Sequence, residues 1–517
     1  MAIKRKSIMV GALMLTAAGI ITRVLGFVYR IYMSNTIGAE GMGLYQLIMP
    51  VYSLAWSITC SGFTTTISKI VAQENAAREY GNMGRALKQA LVITGAISAL
   101  LTALLFFGAD SIGNLVFRDT RTILSLRILA AAIPFMTAGS CIRGYFLGLR
   151  ETTEPAFGQI IEQCARMAVI YAIAPIFMPR GLAFTCAAAV IGIVAGEAIA
   201  FVFSFGTYLT FKRKHRLLKP PSKSSRQLLA LMLPMALPLT ANRITGSFLS
   251  MWENTLIPQK LREFGMSQAD AMSAYGRITG MALPLVFFPS ALLTALAITL
   301  VPAISEALAD GNLERSRAKI RATAAKSIRF TNIIGFCAAA LFLVLPDELG
   351  RLIYKQELGG LLLLLGGLCP FWYINITLGG ILNGLGKQGF IFRNSLLSSA
   401  INIGFVYFLV PRYGINAFLL GWFLSLLGVT LVSLWKIKAE TGIRYDVGNS
   451  LLKPLLAMLA SAAVTEYITN HAIALWFSGY FALIVSAGLL VGIYLAMVLG
   501  MGCISRTELQ KMLRSNR

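Results

Sequence analysis

Charge is scarce in this 517-residue chain: only 13% of residues are charged, about half the share of a soluble protein. Acidic charge is scarcer still, with 22 Asp+Glu against 46 Lys+Arg and a formal net charge of +24. There are two histidines, His215 and His471, both in expected loops, so no His-based metal centre is expected. The seven cysteines (Cys60, Cys141, Cys164, Cys186, Cys337, Cys369 and Cys503) lie in or beside apolar runs and show no CxxC spacing. That excludes a disulfide scaffold and leaves packing as their expected role. The chain lacks a GxxxxGK[ST] phosphate loop, an HExxH helix and paired carboxylates in a long loop. Its loops are too short to fold a catalytic domain, so neither an enzyme nor a bound cofactor is expected.

What is abundant is apolar: 56% of residues are hydrophobic. The cationic excess alone would suit a nucleic-acid binder, but such a protein would be polar, so nucleic acid is not an expected partner. An apolar bulk with a cationic remainder points instead to an all-α polytopic membrane protein. About fourteen runs are long enough to cross the hydrocarbon core. They are 8–34, 43–65, 88–109, 123–149, 155–178, 181–211, 227–251, 275–303, 325–345, 359–384, 389–410, 415–437, 450–469 and 475–502. The first follows Lys4, Arg5 and Lys6. It is too long for a signal-peptide core and is read as a retained span.

An even span count puts both termini on one side. Roughly 32 of the Lys and Arg residues then fall on that side and about 8 on the other, so the positive-inside rule makes the termini cytoplasmic. The densest patch, Lys212-Arg213-Lys214-His215-Arg216, continues to Lys219, Lys223 and Arg226 through Pro220-Pro221. It reads as a topology determinant in contact with anionic lipid headgroups.

The chain also repeats itself. DSIGNLVF from Asp110 matches DELGRLIY from Asp347, and Ile67-Ser68-Lys69 matches Ile304-Ser305-Glu306, both 237 residues apart. Gly144-Tyr145-Phe146-Leu147-Gly148 matches Gly380-Ile381-Leu382-Asn383-Gly384 at 236, and Thr22-Arg23-Val24-Leu25-Gly26 matches Asn242-Arg243-Ile244-Thr245-Gly246 at 220. The offsets imply an insertion in a loop around 253–270. Two parallel-repeat six-helix lobes with two extra helices follow. The expected divisions are an N-lobe 1–211, a basic cytoplasmic linker 212–226, a C-lobe 227–438, and a segment 439–517 holding the last two spans and a cytoplasmic tail.

Ionisable groups inside spans cost about 2.5–3.5 kcal/mol each on insertion scales and so point to function. Arg23 and Arg30 share one face of the first span with Gly19 and Gly26, which suits either a cavity wall or snorkelling to headgroups. The fifth span carries Gln159, Glu162, Gln163 and Arg166 at i, i+3, i+4 and i+7, a complete polar stripe with an internal Glu–Arg pair. It could line a cavity or form an interhelical network. The seventh span offers Asn242 and Arg243 beside Thr240, Thr245 and Ser247, with kinks expected at Pro234 and Pro238. Arg277 opens the eighth span as a ligand or an interfacial anchor, and Glu197 is the deep carboxylate of the sixth. Guanidinium groups dominate, and guanidinium recognises phosphate in bidentate fashion.

Three segments carry a family resemblance. GLYQLIMPVYSLAWSITCSGFTTTISKIVAQ (Gly43–Gln73), RGYFLGLRETTEPAFGQIIEQCARM (Arg143–Met167) and ALPLVFFPSALLTALAITLVPAISEAL (Ala282–Leu308) resemble the stage V sporulation protein B family. This belongs to the polysaccharide and lipid-linked-precursor branch of the multidrug/oligosaccharidyl-lipid/polysaccharide (MOP) exporter superfamily. The resemblance implies a bacterial plasma-membrane flippase of two six-helix lobes, with the two extra helices holding a lipid tail. In the related lipid II flippases, arginines on the first span line the cavity. Their R-V-L-G-F…R pattern matches Arg23-Val24-Leu25-Gly26-Phe27 and then Arg30, one residue late. Their second-span arginine has no counterpart here, and Arg277 lies farther from Phe288-Pro289-Ser290 than theirs does.

The expected function is translocation of an undecaprenyl-pyrophosphate-linked saccharide, such as a peptidoglycan precursor for spore cortex, by alternating access. Membrane potential or a cation gradient would drive it. The expected partners are the anionic lipid-linked precursor, membrane lipids and enzymes of envelope synthesis. Two alternatives stand beside it: a cation-coupled drug or metabolite antiporter relying on Glu162 and Glu197, and a non-transporting scaffold or membrane enzyme.

Overall fold

A backbone out of water must satisfy its hydrogen bonds within its own segment, so long apolar runs become long helices. The computed structural model describes residues 8–214, 220–310, 312–473 and 478–503, and among them there is no strand. Lys4 to Lys6, His215, Arg216, Lys219 and the tail from residue 504 lie outside the described residues.

The chain forms two compact units, Met1–Gly280 and Met281–Arg517. The division falls inside the eighth expected span rather than at the basic linker. The first unit contains α1 (Ile8–Thr59), α2 (Ser61–Ala76), α3 (Tyr80–Ser111), α4 (Ile123–Ala130), α5 (Ala132–Gly148), α6 (Thr153–Phe177), α7 (Leu182–Lys214), α8 (Ser225–Glu263) and α9 (Gln268–Gly276). The second contains α10 (Leu283–Phe287), α11 (Ser290–Leu308), α12 (Leu313–Val344), α13 (Pro346–Tyr354), α14 (Gly359–Gly384), α15 (Gln388–Phe408), α16 (Val410–Tyr413), α17 (Ile415–Thr441), α18 (Lys453–Ile468) and α19 (Gly479–Gly500).

Eleven of the described helices are long and apolar enough to cross a membrane, and twelve if α4 and α5, bent by 42°, make one span. The expected count of fourteen is not reached by this measure. Runs 8–34 and 43–65 are two helical stretches of α1 that meet at a kink at Gly38 (φ 68°), a backbone conformation that glycine adopts without a Cβ clash. Run 389–410 is helical as α15 but is not among the eleven. The insertion around 253–270 is not a loop. α8 continues through Pro234, Pro238 and Pro258 to Glu263, and α9 follows within five residues.

Small residues decide how the helices close. A Cβ on Gly144 or Gly148 of α5 would stand 2.7 Å from the Thr64 carbonyl oxygen or 2.5 Å from that of Ser68 on α2. In the second unit, a Cβ on Gly380 would stand 2.8 Å from the Ala297 carbonyl oxygen, and one on Gly384 2.8 Å from Ile304 Cβ. The same repeated glycine pair thus seats α5 on α2 and α14 on α11. Its helix-to-helix approach is the small-xxx-small kind. The two helices outside the repeat, α18 and α19, pack on α12 through Ile333, Phe336, Ala457, Tyr494 and Val498. The Tyr494 hydroxyl donates to the Ile333 carbonyl at 2.9 Å.

Polar clusters bound the first unit. At one end, Arg121 pairs with Glu40 at 2.5 Å, just after the Gly38 turn, and with Asp119 at 2.7 Å. At the other, Lys223 pairs with the buried Glu74, which also accepts from Asn82 at 2.8 Å. Part of the basic linker is therefore docked on α2 and α3. His471 lies in a π-helical turn, Thr469–Ile473, and not in a loop; its ring stacks on Tyr467. Five cysteines are buried, Cys337 is half-buried and Cys164 is exposed on α6, so packing does not describe Cys164.

Candidate functional site

The site forms where α1, α5, α6 and α7 meet. Gly192 and Gly196 lie one turn apart on α7. A Cβ on Gly196 would stand 2.9 Å from the Glu162 carbonyl oxygen and 3.3 Å from Arg166 Cβ. A Cβ on Gly192 would stand 3.1 Å from the Arg166 carbonyl oxygen. These glycines draw α7 against the polar stripe of α6 and carry Glu197 in beside it. α1 runs along α6 in the same direction. Gly11 meets Thr152, Gly26 meets Gln163, and Tyr32 stacks on Tyr171 with ring centroids 3.8 Å apart.

Four ionisable side chains gather at this junction. Arg166 Nη2 donates to Glu162 Oε1 at 2.7 Å, one turn away. Arg143, from α5, lies 3.8 Å from the other carboxylate oxygen of Glu162. Glu197 is 3% exposed and accepts a hydrogen bond from the Tyr52 hydroxyl of α1. The Glu162 carboxylate therefore faces two guanidiniums, which lowers the cost of burying them.

Beside the cluster is a cavity of about 620 Å³, walled by Tyr52, Trp56, Arg143, Gln159, Glu162 and Glu197 among others. Arg143 makes no hydrogen bond among the described residues, since Glu162 at 3.8 Å is an ion-pair partner beyond hydrogen-bond reach. Its donors stand at the cavity wall with capacity unused. The buried Nε of Arg166 likewise has no hydrogen-bond partner among them.

Of the expected site residues, the structure brings together Gln159, Glu162, Arg166 and Glu197. Gln163 points towards α1, with Nε2 3.8 Å from where a Gly26 Cβ would be. Arg23 and Arg30 are not among the cavity's lining residues. Arg23 is exposed and Arg30 half-buried. Arg23 precedes Gly26 by about 4.5 Å of helix, which sets it level with the α6 stripe. Asn242 and Arg243 are exposed on α8, one turn from Ser247, which bonds Ser57 at 2.6 Å. Arg277 starts a π-helical turn, Arg277–Ala282, that continues α9. It does not open a helix.

Two residues of the site escaped the sequence reading, Arg143 and Tyr52. Arg143 heads the RGYFLG segment and lies inside the run 123–149, so its charge in an apolar run was the available signal. Tyr52 carried none, because one tyrosine in an apolar run is unremarkable.

The helical, multi-pass architecture defines a class, membrane proteins with the fold of solved membrane transporters. The solved lipid II flippase MurJ in an inward closed conformation matches with a TM-score of 0.71 at 14% identity, covering 94% of this chain and 98% of that one. An inward-facing multidrug resistance MATE family transporter of the MOP superfamily matches with a TM-score of 0.64 at 15% identity, covering 81% and 95%. Within that class, the chain belongs to the polysaccharide biosynthesis protein family, whose profile matches residues 8–308. It is 28% identical over 477 residues to stage V sporulation protein B of Bacillus subtilis (strain 168), covering 90% of each chain. It is 24% identical to lipid II flippase MurJ of the same strain, covering 91% of this chain and 89% of the relative.

Proposed function

We propose that the protein is a transporter, not an enzyme, and flips an undecaprenyl-pyrophosphate-linked saccharide across the bacterial plasma membrane by alternating access, with both termini cytoplasmic. The similarity to a lipid II flippase favours a peptidoglycan precursor as substrate, and the similarity to stage V sporulation protein B favours a use in sporulation, such as the spore cortex. The observation carrying this reading is Arg143, a guanidinium on the wall of a cavity among membrane helices with no hydrogen bond of its own. A pyrophosphate offers what that fork accepts, two or more anionic oxygens in one plane. Arg23, level with the same stripe, and Arg30 and Arg243 would guide the phosphates, while the lipid tail stays in the bilayer. Membrane potential or a cation gradient would bias the cycle through differential binding to its two states.

Purified protein in vesicles should translocate a fluorescent undecaprenyl-pyrophosphate saccharide. Arg143→Gln should slow this at least tenfold, and Arg143→Lys, which keeps the charge but not the fork, should slow it less. Arg23→Ala should also impair it. Normal flipping by Arg143→Gln would sink the site assignment.

One observation favours a second reading. Glu162 and Glu197 line the same cavity, as a cation-coupled drug or metabolite antiporter would require. Drug efflux that depends on Glu197 and is indifferent to Arg143 and Arg23 would decide for it.

A further inference from the structure

A second cavity, of about 500 Å³, lies at the start of α3, between α3, the end of α7 and the docked linker. Its charged walls are Arg85, Lys88 and Lys212, and no carboxylate lines it. Arg85 is held in place by donating from Nη1 to the Lys223 carbonyl at 2.6 Å. Lys88 and Lys212 are exposed, and neither makes an ion pair or hydrogen bond among the described residues. The first turn of α3 reaches the cavity through Tyr80, Gly81 and Gly84. The N-cap of that helix is Glu79, whose side chain makes no capping hydrogen bond and instead accepts from the Ser222 hydroxyl at 3.1 Å. The apolar part of the wall includes Leu91, Tyr145 and Tyr208. Tyr145 is fully buried.

Three cations, one of them an arginine fixed by a backbone carbonyl, converge on a cavity that is apolar on its other side. We propose that this cavity binds a phosphate-bearing anion, the headgroup phosphate of an anionic membrane lipid, separately from the cavity at Arg143. The lysines neutralise the phosphate, Arg85 gives it a fork, and the apolar wall receives the start of the acyl chains. The site is distinct from a diffuse basic patch. Arg213 and Lys214 continue the same helix end but do not line the cavity.

The test is native mass spectrometry of the full chain, released from mixed micelles of phosphatidylglycerol and phosphatidylcholine. The wild type should retain phosphatidylglycerol in preference to phosphatidylcholine. Lys88→Gln/Lys212→Gln should lower that retention at least tenfold, while Arg213→Gln/Lys214→Gln, which removes equal charge from outside the cavity, should leave it within twofold. Adding inorganic phosphate separates the sources: displacement at millimolar concentration means free phosphate satisfies the site, and no displacement means it needs the lipid. Absence of preferential retention by the wild type, or equal loss in the two double variants, would overturn the proposal.

Discussion

Glu162 sits between two arginines, with one carboxylate oxygen 2.7 Å from Arg166 on its own helix and the other 3.8 Å from Arg143 on α5. All three side chains are less than a fifth exposed, so the carboxylate neutralises two buried cations at once. Glu162→Gln should therefore destabilise by about 3–5 kcal/mol, the usual cost of orphaning a buried charge. Adding Arg166→Met should recover much of that loss, because a surplus cation goes with it. Thermal unfolding midpoints of the two single variants and the double variant in detergent would check this. Strict additivity would refute the coupling.

Gly196 should tolerate no side chain. An added Cβ meets the Glu162 backbone oxygen at 2.9 Å, and overpacking of this kind costs about 1–3 kcal/mol. Gly196→Ala should lower the melting temperature. Gly206→Ala, on the same helix with nothing within 4 Å, should be neutral or slightly stabilising. If both changes behave alike, close packing of α7 on α6 is not what Gly196 provides.

Asp119 makes the protein acid-sensitive at one end. Burial works against its charge, but hydrogen bonds from Arg121 and Gln268 hold its carboxyl below the usual value. A lowered native pKa means the unfolded chain binds the proton more readily. The stabilisation is full above the unfolded value of about 3.9 and fades as pH falls through the lower native one. Melting curves between about pH 5 and pH 2 should fall more steeply for the wild type than for Asp119→Asn. Parallel curves would show that Asp119 carries no such share.

Much of this architecture was legible because periodicity is local. The stripe Gln159, Glu162, Gln163 and Arg166 is visible on one helix, and so is its internal pair. What brings Glu197 to that stripe is the Gly192–Gly196 spacing on α7, which helical periodicity does not read. Arg143 joins from α5 because Gly144 and Gly148 seat that helix on α2. Such inter-helix placements depend on where backbones can touch, and apolar content says nothing of that. At Gly38 the chain turns between the first two expected runs, 8–34 and 43–65.

The cluster also sets an order of assembly. Arg143, the Glu162–Arg166 pair and Glu197 lie on three successive helices, and 54 residues separate the first ion from the last (143 against 197). At ribosomal rates that is ~3–10 s of synthesis. Arg143 thus enters the membrane as a lone cation. Glu162 and Arg166 arrive already paired, and Glu197 joins them last. Until α7 is inserted, the nascent bundle carries an excess positive charge that only its neighbours in the membrane can shield.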